Sequence, residues 1–132
     1  MRIAVLDTSI LLAIARRQLS LDSVLEQLAG YRIVVTKPVV EELHKLANEQ
    51  GDKGRLARWV LSTIVGRVVE TLDEDCEMQK FDERILCTAE KLRALVVTAD
   101  LEMATVARRR GLAVAVLRKA KRGLEGSYNA FR

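Results

Sequence analysis

The opening stretch constrains this chain more than any other. Ile3-Ala4-Val5-Leu6 is an unbroken apolar run that stops at Asp7-Thr8-Ser9, and a helical pattern follows from Ile10 to Arg17. A continuous apolar run ended by a polar break is the mark of a strand buried on both faces, as in parallel sheets. A carboxylate at the end of such a strand sits where open α/β sheets gather their ligands.

The rest of the chain alternates. Ser20 is placed to cap a helix from Leu21 to Ala29 that Gly30 stops, and the β-branched run Tyr31 to Val35 predicts a second strand. Thr36-Lys37-Pro38 opens a helix to about Gln50, with Pro38 in the first turn where its missing N–H costs least. After a turn at Gly51–Gly54, Arg55 to Val65 reads as a helix bearing Trp59, and Arg67 to Glu70 as a short third strand. Residues 71–80 are acidic and irregular, a loop expected near the site. Phe81 to Leu92 is a helix with Ile85, Leu86 and Ala89 on one face, and Leu95 to Thr98 is a fourth strand ending in a second acid, Asp100. A helix from Leu101 to Arg110 and a fifth strand from Ala113 to Leu117 follow. Strands alternating with helices predict an α/β domain over residues 1–118, its parallel sheet covered on both faces. Residues 119–132 read as a basic, partly ordered C-terminal tail.

Composition sets the outer bounds. At 132 residues and 49% apolar, the chain suffices for one domain with its own core and is not a disordered segment. A net charge of +4, with basic clusters at Arg108–Arg110 and Arg118–Arg122, favours an anionic partner, nucleic acid first. Cys76 and Cys87 are too few for a zinc site or a disulfide scaffold and read as reduced thiols of a cytosolic protein. Asp7 interrupts what would otherwise resemble a signal peptide, and no segment has the length to span a membrane, so a cytoplasmic protein is expected. His44, the single histidine, reads as exposed or as a dimer contact. Trp59 reads as core or subunit interface, leaving few aromatics to stack unpaired bases.

Helix geometry ranks the remaining acids. At about 100° per residue, the apolar face of Val39, Val40, Leu43, Leu46 and Ala47 centres near Leu43. Glu41 then points away from it, and Glu42 lies at its edge, roughly 90° from the centre, facing along the packed surface. Glu42 is therefore the better candidate to approach Asp7 and Asp100, and Glu41 reads as a surface charge. Asp82 opens its helix, where an acid ordinarily serves as a cap or dipole partner.

Taken together, Leu6-Asp7-Thr8-Ser9, Glu42-Leu43 after Pro38, Asp82-x-x-Ile85-Leu86-x-x-Ala89 and Thr98-Ala99-Asp100 resemble the PIN-domain ribonucleases in order and spacing. The resemblance implies a three-layer α/β/α fold with a five-stranded parallel sheet in the order 3-2-1-4-5. It implies that Asp7, Glu42, Asp82 and Asp100 are catalytic and bind one or two Mg²⁺ or Mn²⁺ ions. Ser9 stands where asparagine is common in the family, and Glu102 is a further acid nearby. An RNA endonuclease leaving 5′-phosphate and 3′-hydroxyl ends is the activity implied. Two settings compete: a VapC-like toxin held by an antitoxin peptide, and an archaeal rRNA-processing nuclease working with ribosome-assembly factors. Glu42-Leu43-x-Lys45-Leu46 and the Val114 to Lys119 run look closer to the second. Homodimers are common among relatives.

The chemistry fits those residue types. Hard cations take oxygen ligands, and one or two of them clamp the attacking and leaving oxygens of a phosphodiester, so no catalytic histidine is required. Thr8, Ser9 and Thr98 would orient ligands or waters, besides capping and forming turns. Arg16, Arg17, Lys53, Arg55, Arg108, Arg118 and Lys119 would hold the phosphate backbone in a salt-sensitive, weakly sequence-specific way. Two other classes compete: a non-catalytic PIN fold that binds RNA or protein, and a receiver-like signalling domain. A receiver needs an acidic pair after its first strand, and Asp7 stands alone.

Overall fold

A computed structural model describes residues 2–118 and 123–126 of the chain. In chain order it contains β1 (Ile3–Leu6), α1 (Thr8–Ala15), α2 (Leu21–Gln27), β2 (Arg32–Thr36), α3 (Lys37–Ala47) and α4 (Asp52–Thr63). Then follow β3 (Glu70–Leu72), α5 (Phe81–Leu92), β4 (Leu95–Thr98), α6 (Leu101–Arg109), β5 (Val114–Arg118) and β6 (Gly123–Gly126). The strands form one sheet in the order β3-β2-β1-β4-β5-β6. The first five are parallel, as expected from the alternating pattern, and β6 adds an antiparallel edge strand paired along β5.

Burial explains why the strands read as continuous apolar runs. Val34 with Val35, and Val96 with Val97, are successive residues pointing to opposite faces, yet all four are 0% exposed. Only helices on both faces can do that, and so the fold is a three-layer α/β/α sandwich. Val5 pairs with Val34 on one side and Val96 on the other, so β1 is the centre of the sheet. The chain leaves β1 and β4 at the same end, and there the Asp7 N–H donates to the Val97 carbonyl at 3.1 Å.

Several expectations are corrected, among them the third strand, which runs from Glu70 to Leu72 rather than from Arg67 to Glu70. Cys76 and Cys87 are not free thiols but form a disulfide, across a sequence separation of 11, that ties the loop after β3 to α5. The same loop is held by Arg84, which donates to Asp75 at 2.7 Å and also to Glu41. These links fasten the loop to α5, and none of residues 71–80 lines the cleft that holds Asp7. Closing a loop of this length removes disorder from the unfolded chain, so full reduction is expected to cost about 3 kcal/mol of stability. Urea unfolding with and without a thiol reductant measures this, and an unchanged midpoint would show that the crosslink stabilises nothing.

Of the two readings of Trp59, core and subunit interface, the structure excludes the core: 43% of its surface is exposed. The helical wheel carries the signal. Leu56, Ala57 and Val60 are the buried face of α4, and at 100° per residue Trp59 falls roughly 110° from its centre.

Candidate active site

The carboxyl ends of β1 and β4 open into a cleft of about 490 Å³. Asp7, Glu42, Asp82 and Asp100 all line it, each from a different element. Thr8 and Ser9 from the start of α1, Gln18 and two cations, Arg16 and Lys53, complete its polar surface. Leu12 and Met103 line it as well, with no signal in the sequence to single them out.

Asp7 sits deepest, at 2% exposure. It is the N-cap of α1: Oδ1 accepts from the Ile10 N–H at 3.0 Å and from the Ser9 hydroxyl at 2.8 Å. Its Oδ2 accepts from the Thr98 hydroxyl at 2.6 Å. Ser9 Oγ in turn accepts from the Ala99 N–H at 2.9 Å, and Thr98 Oγ1 from the Asp100 N–H at 3.0 Å. Ser9 and Thr98 thus lace the ends of β1 and β4 together and aim the carboxylate of Asp7. Asp100 caps α6 by accepting from Glu102 and Met103 N–H groups at 2.9 and 3.3 Å. Glu42 accepts a hydrogen bond from the Thr8 hydroxyl, while its neighbour Glu41 is on the exposed side of α3 with Arg84. Glu102 is exposed, outside the cleft lining but close enough to raise the pKa of Asp82.

The electrostatics follow from crowding like charges. Burial, reinforced by the charge of Asp100, raises the Asp7 carboxyl to about 6 despite three stabilising hydrogen bonds. Glu42 is raised by burial and by Asp82, and Asp82 by burial, Asp100 and Glu102. Lys53 and Lys45 offset part of this at Glu42. Between pH 4 and 6 the unfolded Asp7 carboxyl has lost its proton and the native one retains it, so raising the pH favours unfolding. This one group is therefore expected to take about 3 kcal/mol from the chelated protein across that window. Denaturant titrations in EDTA at successive pH values, run beside Asp7→Asn, test it, and a pH slope that the substitution leaves unchanged would contradict the burial of Asp7.

Among the described residues no three histidine, cysteine or carboxylate side chains converge on a single ion site. Two carboxylates at 4 Å repel by about 4 kcal/mol at an effective dielectric of 20, which opposes closer approach without a cation. The donors nonetheless suit a hard divalent ion: all are carboxylate oxygens, and three of the four already resist ionisation.

The expected phosphate-binding residues divide. Arg16 and Lys53 line the cleft, and Arg17 lines a groove beside it. Arg55 is exposed and paired with Asp52. Arg118 is exposed at the end of β5, paired with Glu125 at 3.0 Å. Arg108 lies near the far end of α6 from Asp100, about 12 Å along the helix. Lys119 lies outside the described residues, as do Lys121 and Arg122. His44 is exposed. No helix among the described residues is long and apolar enough to cross a membrane.

The sequence matches the family described as PIN like domain over residues 4–120. It is 30% identical over 123 residues to Ribonuclease VapC9 of Archaeoglobus fulgidus, covering 92% of this chain and 87% of that protein. Among solved structures it is similar to the PIN domain endonuclease Utp24, with TM-score 0.69 and 17% identity over 96% of this chain and 92% of the other. It is also similar to VapBC-1 from nontypeable Haemophilus influenzae, with TM-score 0.61 and 20% identity over 83% of this chain and 94% of the other. At these identities the two structures speak for the fold alone.

Proposed function

The chain belongs to the PIN-domain family of ribonucleases, and from that premise we propose that it is a divalent-metal-dependent endoribonuclease. The observation that supports this reading is the single cleft lined by Asp7, Glu42, Asp82 and Asp100 from four separate elements. In it those four acids would hold Mg²⁺ or Mn²⁺. When bound, the ion supplies charge neutralisation at the phosphate and a more acidic water.

The chain's own residues do the rest. Ser9, Thr98 and the Ile10 N–H keep the Asp7 carboxylate in one orientation, so little reorganisation is needed when charge develops. Thr8 performs the same service for Glu42. Arg16 and Lys53 hold the phosphates flanking the scissile bond and offset the negative field that would otherwise repel RNA.

The purified protein is expected to cut labelled RNA with Mn²⁺ or Mg²⁺ and to stop in EDTA. Cleavage that survives the chelator would overturn the metal-dependent reading. Of the two settings, the relative in Archaeoglobus fulgidus favours a VapC-like ribonuclease with an antitoxin partner, whereas the motif spacing leans to RNA processing beside ribosome-assembly factors. A peptide that co-purifies and blocks cleavage would decide for the toxin.

A further inference from the structure

A second cavity opens beside the carboxylate cleft, and Gln18 lines both. It is a groove of about 560 Å³, within the roughly 300–1,000 Å³ of sites that hold small organic groups. Its walls are Ile14, Arg17, Leu19 and Leu21 around the α1–α2 turn, with Trp59 projecting from α4. Serine hydroxyls, the Gln18 amide and one guanidinium supply its polar groups, and none of its lining residues is acidic.

Two features of this groove are left unexplained by folding. Trp59 stays 43% exposed, although the inner face of α4 is already filled by Leu56, Ala57 and Val60. A large aromatic surface left in water gains free energy from any flat apolar partner. Arg17 has φ of 62°, the left-handed conformation in which helix termini favour glycine. The chain leaves α1 by a Schellman turn, with Arg17 N–H donating to Ile14 O and Gln18 N–H to Ala13 O, both at 3.0 Å. An arginine occupies the position that glycine would fill most easily, and the turn sends Arg16 to the cleft and Arg17 to the groove.

We infer that the groove is a base-stacking subsite for single-stranded RNA. A nucleobase flanking the scissile phosphate lies on the indole of Trp59, and Arg17 faces the adjoining phosphate. This rests on the ribonuclease reading above and narrows its substrate. The continuity of groove and cleft through Gln18, and the cations at their junction, favour a nucleic-acid strand over a protein segment. An aromatic plane accepts any base, so sequence preference is weak. Bases of a duplex are stacked on one another and cannot reach the indole, so the substrate must present unpaired nucleotides.

Trp59 is the chain's one tryptophan, so its emission reports on the groove alone. The test titrates a single-stranded oligoribonucleotide into the Asp7→Asn protein with Mn²⁺, reading tryptophan emission and the anisotropy of labelled RNA in parallel. Binding should quench the emission, while a duplex of the same sequence should not. Trp59→Ala should raise Kd about tenfold or more, and Trp59→Phe should stay within about threefold of the parent. Arg17→Gly should weaken binding and flatten its salt dependence without lowering the melting temperature, since glycine suits φ of 62°.

Anisotropy that shows binding with unchanged emission and an unaffected Trp59→Ala would overturn the subsite and leave the nuclease reading standing. Quenching and a Trp59→Ala effect in a protein whose parent never cuts RNA would do the reverse. No binding and no cleavage would sink both. A Trp59→Ala variant that loses a dimer and keeps its RNA affinity would make the groove an interface between copies of this chain, and the inference would fall.

Discussion

Asp7→Asn is expected to abolish RNA cleavage while leaving the chelated protein at least as stable at pH 8. The two halves come from the same carboxylate. Removing one unit of charge beside a cation forfeits on the order of 4 kcal/mol at an effective dielectric of 20, about 10³-fold in rate. Stability moves the other way because charged Asp7 is buried, with its carboxyl raised to about 6. Above that pH its ionisation costs the fold about 3 kcal/mol, which a neutral amide does not. Asparagine caps helices as well as aspartate, so its Oδ1 can keep the bonds from Ile10 and Ser9. Its amide N–H would then donate to Thr98 Oγ1, which turns from donor to acceptor. The downward slope of stability between pH 4 and 6 should shrink in the variant. RNA cleavage assays and urea unfolding at pH 5 and 8 measure both halves. A marked fall in melting temperature at pH 8 would identify Asp7 as a structural group instead.

Gly54→Ala is expected to destabilise the fold by about 3 kcal/mol or more, against the preference of helices for alanine over glycine of about 1 kcal/mol. Gly54 is buried in the first turn of α4, where that helix crosses the end of α3. A Cβ there would meet the Glu49 carbonyl oxygen at 2.0 Å, the Glu49 carbonyl carbon at 2.9 Å and the Leu46 carbonyl oxygen at 3.1 Å. These are backbone atoms and cannot rotate aside. Relief requires α3 and α4 to part by about 1 Å, which breaks the close packing around Leu43 and Leu56. The Arg58 guanidinium, which donates to the Ala47 carbonyl at 2.7 Å, would be pulled from the end of α3. Lys53 precedes Gly54 and lines the cleft, so cleavage should weaken too. Denaturant midpoints of the two proteins decide the matter, and a stabilised Gly54→Ala would mean that the helices do not touch here.

The outline of the fold was legible because its signals are local. Four-residue apolar runs, Ser20 as a cap, Pro38 in a first turn and the face of Ile85, Leu86 and Ala89 each report on their own segment. Asp7 and Asp100 could be placed at strand ends for the same reason, and the wheel separated the Glu42 and Glu41 directions correctly.

What sequence alone determined was the kind of each element through β5, its boundaries to within a few residues, and the apolar sides of α3 and α5. Periodicity fixes a direction relative to one axis but not what stands opposite it. Only the tertiary structure decided that Cys76 meets Cys87, that Gly54 touches the end of α3, and that Trp59 stands in the open beside the cleft. It alone added β6 to the sheet edge. Each of those facts depends on how separate elements pack or pair with one another, through helices docking on the sheet or a strand adding to its edge, which the pattern within one element does not encode.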